Sequence, residues 1–425
     1  MWLRLAASAA LASATCTHVH AQAPLFTLDD AFARVAESHP DLRLFDARGD
    51  VLQAERDASA LRPAMVAGAT VENILGTGDA HGLRGAEISL TLASVLERGG
   101  KLDARRTLAQ SRVDALAVER EARRLDLLAE VARRYLAVVA AQHQVEIARL
   151  DASQRLRTVE AAARRLRAGA SPESVVLAAQ AAQARAELDV ARATQRAASS
   201  RQHLAALWGE RAPTFGDVAG DPLRLPSLPA FAQLAQWLER TPEIARFAGE
   251  QRIREARLQL ARSAATPDLD WQVGVRRLEA SDDFALIGSI SIPLGASRRA
   301  EPGVRIAQAE LSALEIEREA KGISLYATLV EAEGRYRVAQ LEAGRLQADV
   351  LPRLADAEAA AARAYRAGAT SYLEWAQLLS EHTAARRQQL DAALDAQRAL
   401  VEIQRLTGQA FVADDGVPSD VDVLP

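Results

Sequence analysis

A glycine-rich turn and the five of seven histidines that lie beyond residue 21 are the residues of this sequence whose types could do chemistry. Gly99-Gly100-Lys101 joins two glycines to a lysine, a combination that can cradle an anion ahead of a helix. It lacks the GxxxxGK[ST] spacing of a phosphate-binding loop, so we interpret it as a turn between a strand and a helix. The histidines show neither an i, i+4 pair nor a Cys-x-x-Cys companion, and we interpret them as solvated or helix-face residues. They are His39, His81, His143, His203 and His382.

The absence of catalytic motifs and the balance of charge argue against catalysis and against nucleic-acid binding. We find no Ser/His/Asp arrangement, paired-carboxylate motif or cofactor fingerprint, so we predict that the protein is not an enzyme and binds neither a cofactor nor a metal. The 425 residues carry 52 Lys+Arg and 56 Asp+Glu, a formal net charge of −4. This near-balance excludes the basic surplus of a typical nucleic-acid binder. One Cys excludes a disulfide framework.

Residues 1–21 are predicted to be a secretory signal peptide. Arg4 supplies the positive charge and Leu5–Ala14 supplies a short apolar core. We favour cleavage after Ala21. The alternative is a lipoprotein acylated on Cys16, although the three residues before that Cys make a poor lipobox.

An internal repeat divides the rest of the chain into two similar halves. Four short segments recur in the same order, 199 to 204 residues apart, and chance could hardly supply four in register. A Pro-rich join at 213–229 separates them. We predict a first repeat at 22–215, a second at 216–408 and an acidic tail at 409–425. The paired segments are Ala60–Pro63 with Ala264–Pro267, His39–Leu42 with Thr241–Ile244, Leu166–Ser171 with Tyr365–Thr370, and Leu207–Gly209 with Leu406–Gly408.

Long helical hairpins are predicted in both halves from the positions of Gly and Pro. Residues 101–168 contain neither residue type, and a helix over this run would be roughly 100 Å long. Gly169 can end it and Ser171-Pro172 can begin the next helix, which must fold back antiparallel. The hairpins are predicted at 101–208 and 303–407. The second is less regular, with interruptions at Gly322, Gly334, Gly344 and Pro352.

Two strand-like segments precede the long helix of each half. Apolar and polar residues alternate along them, as Ile88, Leu90 and Leu92 do with their neighbours, which predicts a sheet with one apolar and one polar face. Each segment has about the 9–11 residues that a tilted strand needs to cross a bilayer. The strands are predicted at about 64–75, 85–95, 267–278 and 284–294.

Four strands are too few to close a barrel, and an open sheet edge cannot lie in lipid with unsatisfied hydrogen-bonding groups. If these strands lie in a membrane, several chains must therefore share one barrel. Helices of this length must also pack side by side. The alternative is a periplasmic coiled-coil scaffold or adaptor protein without a membrane barrel, whose strands form a small soluble β-domain.

The doubled unit, the two strands per half and the hairpins ending in Arg-Ala-Gly-Ala-Ser/Thr make the chain resemble TolC-like outer-membrane efflux proteins over about 27–408. It is also similar to their CzcC-like cation-efflux branch through Glu72–Gly78 (ENILGTG) and Leu96–Leu102 (LERGGKL), where Leu102 replaces the usual basic residue. The fold class is then mainly α with a small membrane β part. The resemblance implies a homotrimer that forms a 12-strand β-barrel in outer-membrane lipid, continued by an α-helical barrel through the periplasm of a Gram-negative bacterium.

The resemblance also implies a function, and with it partners. The expected protein is a passive exit duct for solutes, divalent metal cations in the narrower branch. An inner-membrane RND-type pump and a periplasmic adaptor (membrane fusion) protein would deliver them.

The same resemblance implies roles for residues at the hairpin ends. Glu374, six residues past Gly368, would form a ring of three carboxylates at the periplasmic gate and attract cations. Gln377 stands where a second acidic residue is often found, and Tyr365 and Arg366 are candidates for latches that hold the gate closed. The two turns would contact the adaptor. Their residues are Arg167, Ala168, Gly169, Ala170 and Ser171 in the first turn, and Arg366, Ala367, Gly368, Ala369 and Thr370 in the second.

Overall fold

The computed structural model describes residues 25–411, so the predicted signal peptide, Cys16 and most of the predicted tail lie outside the described residues. Two helices, two strands and a long helical hairpin follow one another, and this order then recurs. The helices are α1 (Leu28–Ser38), α2 (Pro40–Ser59), α3 (Lys101–Arg167), α4 (Glu173–Ala205), α5 (Phe231–Leu238), α6 (Pro242–Ser263), α7 (Ala296–Arg345), α8 (Leu351–Ala367) and α9 (Tyr372–Thr407). The strands are β1 (Val66–Glu72), β2 (Glu87–Leu96), β3 (Leu269–Leu278) and β4 (Asp283–Ser291).

The first hairpin closely follows the prediction. Helix α3 is one helix of 67 residues, about 100 Å long at 1.5 Å per residue. Helix α4 begins at Glu173 rather than Pro172, because Pro172 has an extended backbone and acts as the N-cap. Among residues 25–411, none of the helices is long and apolar enough to cross a membrane.

The second hairpin starts earlier than predicted. Helix α7 begins at Ala296 and not at 303, so that Pro302 lies inside it. Gly295 precedes α7 with a φ of 75°, as Gly100 precedes α3 with a φ of 73°. Glycine adopts this left-handed backbone without strain, and in both halves it turns the chain from a strand into a long helix.

Pro352 marks a break in the second long helix, as predicted. A π-helical segment, Leu346–Val350, ends α7, and α8 begins at Leu351 with the proline in its first turn. The widened turn accommodates a residue that cannot donate a backbone hydrogen bond. Three predicted interruptions are wrong, because a glycine costs only about 1 kcal/mol in a helix whose packing outweighs it. They are Gly322, Gly334 and Gly344, all inside α7.

The strands form one antiparallel sheet in the order β1-β2-β3-β4. Strand β1 is only seven residues long. It ends at Glu72 because Asn73 and Leu75 both have a φ of 58°, which no extended strand allows. Strand β4 ends at Ser291, shortly before Pro293. All four predicted strands are therefore present, each somewhat shorter than expected and β1 by the most.

Buried clusters fix the short helices against the long ones. Val35 of α1 packs with Val131 of α3, and Leu234 of α5 packs in one cluster with Leu329 of α7 and Ile403 of α9. Each of these side chains is at most 2% exposed. Full burial of one such side chain contributes about 1.5–3 kcal/mol, so these contacts define where the helices cross.

An acidic residue at the start of a short helix binds the long helices in each half. Glu243 of α6 lies 2.9 Å from Lys321 of α7 and 2.6 Å from Arg405 of α9. Burial disfavours the Glu243 carboxylate, but the two cations outweigh this and hold its pKa below its usual value. Asp41 of α2 occupies the corresponding position, and the hydrogen bond from Arg123 of α3 lowers its pKa.

Candidate functional site: the sheet faces and the hairpin tips

The register of the sheet separates an apolar face from a polar face. Residues directly opposite each other on antiparallel strands lie on the same face. Leu90 pairs with Val275, which pairs with Leu286, and all three are exposed in the protomer. Such a band is typical of strands that face lipid. The same face carries Val71, Ile88, Leu92, Trp271, Val273, Phe284 and Ile290.

Gly99-Gly100-Lys101 is the turn between β2 and α3, as predicted. A Cβ on Gly99 would lie 2.5 Å from Thr266 Cβ, so only glycine fits there. Lys101 Nζ lies 2.7 Å from Asp268 Oδ1, just before β3. The turn therefore joins the two halves at the end of the sheet nearest the helices.

The two hairpin turns share one backbone geometry. Gly169 and Gly368 have φ values of 69° and 83°. The Ala170 N–H donates to the Arg165 carbonyl at 2.8 Å, and Ala369 makes the same bond in the second turn at 2.9 Å. This is the Schellman arrangement that ends helices at glycine. The tips expose most of the predicted contact residues: Arg167, Ala168, Gly169, Ala170, Arg366, Ala367, Gly368 and Ala369.

Arg165, which no sequence pattern singles out, links the two turns. Its guanidinium donates to the Ala170 carbonyl of the first turn at 3.1 Å and to the Tyr365 carbonyl of the second. Its central carbon also lies 5.0 Å from the centre of the Tyr365 ring. The planar guanidinium can reach two acceptors at once, which suits it to this position.

Tyr365 and Arg366, the two candidate latches, have different environments. Tyr365 is 3% exposed, and its ring centre lies 5.4 Å from that of Trp375. Arg366 is exposed, and its Nε donates to the Ala362 carbonyl of its own helix at 3.0 Å. The structure thus brings Tyr365, and not Arg366, into the contact between the hairpins.

Glu374 and Gln377 are both exposed in the first turns of α9. The Glu374 N–H donates to Oγ of the N-cap residue Ser371 at 3.2 Å. The Thr370 hydroxyl donates to the Glu374 carboxylate, and the Gln377 side-chain amide donates to Glu381 at 3.0 Å. A carboxylate at a helix N-terminus is also favoured by the helix dipole. Glu374 therefore supports its own helix while remaining accessible to solvent.

A buried ion pair joins the hairpins between the tips and the sheet. Arg155 Nε lies 3.3 Å from Asp151 Oδ1, and both side chains are at most 10% exposed. Arg155 also donates to Ser380 of α9 at 2.9 Å, and Thr383 of α9 donates to Asp151 at 3.0 Å. These bonds satisfy both charges and hold α9 against α3.

One of the five histidines, His382, is buried and contacts other side chains of the second hairpin. His382 is 5% exposed, its Nδ1 lies 2.7 Å from a Glu358 oxygen, and its Nε2 accepts from Arg386 at 3.2 Å. Within residues 25–411, no group of three or more His, Cys, Asp or Glu side chains is arranged to hold a metal ion.

Comparison with known proteins identifies the family. The family model described as outer membrane efflux protein matches residues 33–210. The cobalt-zinc-cadmium resistance protein CzcC of Cupriavidus metallidurans is 34% identical over 280 residues, which cover 66% of this chain and 67% of CzcC. The chain belongs to the outer membrane efflux protein family.

Solved channels share the fold of this efflux protein. CusC, whose crystal structures concern folding and transmembrane channel formation, superposes with a TM-score of 0.76. The two chains are 19% identical, and the match covers 90% of this chain and 92% of CusC. The outer membrane protein VceC of Vibrio cholerae gives 0.73 at 17% identity, covering 90% and 96%.

The efflux protein is thus an outer-membrane exit duct with a long periplasmic helical extension, as predicted. Its fold is that of one protomer of a trimeric TolC-like channel, which has a β-barrel and a helical barrel. In such a barrel we expect the apolar face of the sheet to meet lipid and the polar face to line the lumen. The family and fold are those of passive channels that work with adaptor and pump partners. The alternative prediction of a periplasmic adaptor or scaffold is wrong.

Proposed function

We propose that this duct conducts divalent metal cations, which an RND-type inner-membrane pump delivers through an adaptor docked on the hairpin tips. The observation that carries the proposal is the 34% identity to CzcC, a cobalt-zinc-cadmium resistance protein by name. Several channels share this fold, so the fold alone does not identify the cargo. We therefore infer the cargo from CzcC and from the charges along the conduction path.

The two segments that are similar to the cation-efflux branch, Glu72–Gly78 and Leu96–Leu102, make contacts that stabilise the sheet and its junction with α3. The Asn73 side chain donates to Glu87 at 2.9 Å, and Glu97 accepts from Arg105 at 2.8 Å. These contacts position strands and the start of α3. A preference for cations must come from charged side chains that face the conduction path, including any within these segments.

Glu374 is the residue that we assign to the periplasmic end of that path. Three copies near one axis would attract cations and repel anions. The neighbouring Gln377 is neutral, so one ring of charge is expected. Because the Glu374 carboxylate is exposed, no rearrangement of the helix is needed for it to meet a passing ion.

The hairpin tips are the surface that we assign to the adaptor. Glycine and alanine leave the backbone of both turns bare, so a helical hairpin of the partner could approach it closely. Arg167 and Arg366 flank the bare turns and are exposed. They would favour a partner that offers carboxylates or backbone carbonyls.

Deletion of the gene tests the cargo. We expect a host lacking it to become sensitive to cobalt, zinc and cadmium and to retain more of these metals, and a plasmid copy of the wild-type gene to restore both. Unchanged metal tolerance together with new sensitivity to organic drugs would contradict the proposal and reassign the cargo.

A tip variant tests the docking surface separately. Ala367→Trp would place a bulky side chain on the bare second turn without touching the sheet or the buried ion pair. We expect the variant to assemble normally in the outer membrane and to fail to restore metal tolerance. Full restoration would contradict adaptor docking at the tips.

A further inference from the structure

We propose that Glu72, Glu87 and Arg276, here called the outer-mouth cluster, line the extracellular opening of the barrel and set its preference for cations over anions. This inference deepens the proposed function and rests on it, because it assigns ion selection to a second position along the same duct. The cluster lies in the strands, at the opposite end of the molecule from the hairpin tips that carry Glu374.

The sheet register places all three residues on the polar face. Glu72 pairs with Glu87, which pairs with Leu278. Arg276 pairs with Ser89, two residues along β2 from Glu87 and therefore on the same face. This face lines the lumen once three protomers close the barrel.

Charge divides between the two faces in a way that supports this assignment. The four strands contain six charged residues, and the register puts five of them on the polar face. Arg277 is the exception, on the apolar face, where its guanidinium carbon lies 4.9 Å from the Phe284 ring centre. The five polar-face residues are Glu72, Glu87, Asp270, Arg276 and Asp283.

The connectivity places the cluster at the outer end of the barrel. The long helices follow β2 and β4, so the helices mark the periplasmic end of the sheet. Glu72 is the last residue of β1, and Glu87 is the first residue of β2. Both carboxylates therefore lie where the chain turns around outside the membrane.

Contacts within the cluster hold its charges in fixed positions. Arg276 Nη1 lies 2.7 Å from Glu87 Oε2, Arg276 Nη2 lies 3.3 Å from Glu72 Oε2, and Arg276 Nε donates to Ser89 Oγ at 2.9 Å. Asn73 donates to the other Glu87 oxygen at 2.9 Å. The Glu72 side chain is 50% exposed and the Arg276 side chain 32% exposed, so ions in the lumen can still sense both.

The balance of charge gives the direction of the effect. Two carboxylates and one guanidinium leave one negative charge per protomer, and hence three at the mouth of a trimer. Asp283, on the same face opposite Leu278, adds another negative charge per protomer. A ring of net negative charge concentrates cations and repels anions. Arg276 limits that charge, so its removal and the removal of the carboxylates must act in opposite directions.

Reversal potentials of single channels in planar bilayers under a KCl gradient test this prediction. We expect Glu72→Gln/Glu87→Gln to lower the cation-to-anion permeability ratio about threefold in dilute salt, and less at 1 M, where the Debye length is about 3 Å. Arg276→Gln should raise the ratio. Arg277→Gln is the matched control, because the same substitution one residue away removes a charge from the lipid-facing side, and it should change the ratio little.

Opposite shifts in the two lumenal variants, with little change in the control, would support the inference. An unchanged ratio in the double glutamine variant, or a shift in Arg277→Gln as large as that in Arg276→Gln, would overturn it. If Arg276→Gln fails to assemble, the double glutamine variant still decides, since glutamine keeps the length of each side chain. The readout uses KCl, so a wrong metal cargo would appear in the gene-deletion assay and leave these permeability ratios interpretable.

Discussion

Tyr135 and Tyr336 occupy equivalent positions in the two long helices, and each fastens its helix to the segment that links the halves. Tyr135 Oη lies within hydrogen-bonding distance of the Ala219 carbonyl oxygen, and Tyr336 Oη donates to the Pro226 carbonyl. Both rings are buried, Tyr336 completely. The link between α4 and α5 is thus held from both sides by one residue type, a consequence of the internal repeat.

Alkaline solution should weaken this attachment. Burial raises the pKa of Tyr336 from 10.0 to about 12. Because the folded pKa is the higher one, the unfolded chain ionises first, and the associated stability is present below pH 10 and lost as the pH rises towards about 12. We expect the thermal midpoint of the detergent-solubilised protein to fall over this window.

Tyr336→Phe is the control for the alkaline effect. It should destabilise the protein at neutral pH by about 1–3 kcal/mol, because a buried carbonyl loses a donor. It should then lose less further stability than the wild type between pH 10 and 12. Equal alkaline losses in both proteins would show that Tyr336 is not responsible.

The elements of this fold were more predictable than the contacts between them. Glycine and proline end or begin helices by local backbone physics, so α3 and both hairpin turns could be read from the sequence. The early start of α7 could not, since Pro302 lies inside this helix although a proline usually ends or kinks one. The strand faces followed from alternation, but only the pairing of Arg276 with Ser89 revealed which charges share the lumenal side.

The contacts of Arg165 with the two hairpin turns could not be predicted from the sequence either. Its acceptors belong to two turns that are separated by about half the chain, and two other arginines, Arg164 and Arg167, lie close to it in sequence. We expect Arg165→Lys to increase the channel conductance, because a lysine cannot hold both carbonyls at once and the hairpins can then separate. Arg167→Lys, on the exposed tip, is the matched control. Single-channel recordings that show equal conductance in wild type and Arg165→Lys would rule out a role in holding the tips together.

The Asp151–Arg155 pair should matter for stability. Arg155→Met would leave the Asp151 carboxylate buried without its partner, and breaking such a pair costs about 3–5 kcal/mol. We expect a clear fall in the denaturant midpoint. The double variant Asp151→Leu/Arg155→Met removes both charges and should recover part of the loss. A single variant as stable as the wild type would mean that water already screens the pair.

The proposed ring of three Glu374 carboxylates should select cations at the periplasmic end. Glu374→Gln removes three charges per trimer with little change in shape, so we expect cation selectivity and block by trivalent cations to fall together. Glu173→Gln removes the acidic residue in the first turn of α4 and provides the matched control. Reversal potential and block that stay unchanged in Glu374→Gln would leave the residue as a helix-capping partner of Thr370.

The mass of the purified protein in detergent tests the central claim most directly, since four strands per chain can form a closed barrel only when chains combine. We expect native mass spectrometry of outer-membrane extracts to give a particle of three protomers that requires detergent and conducts ions after reconstitution into a planar bilayer. A monodisperse monomer, stable in buffer without detergent and silent in the bilayer, would contradict the account.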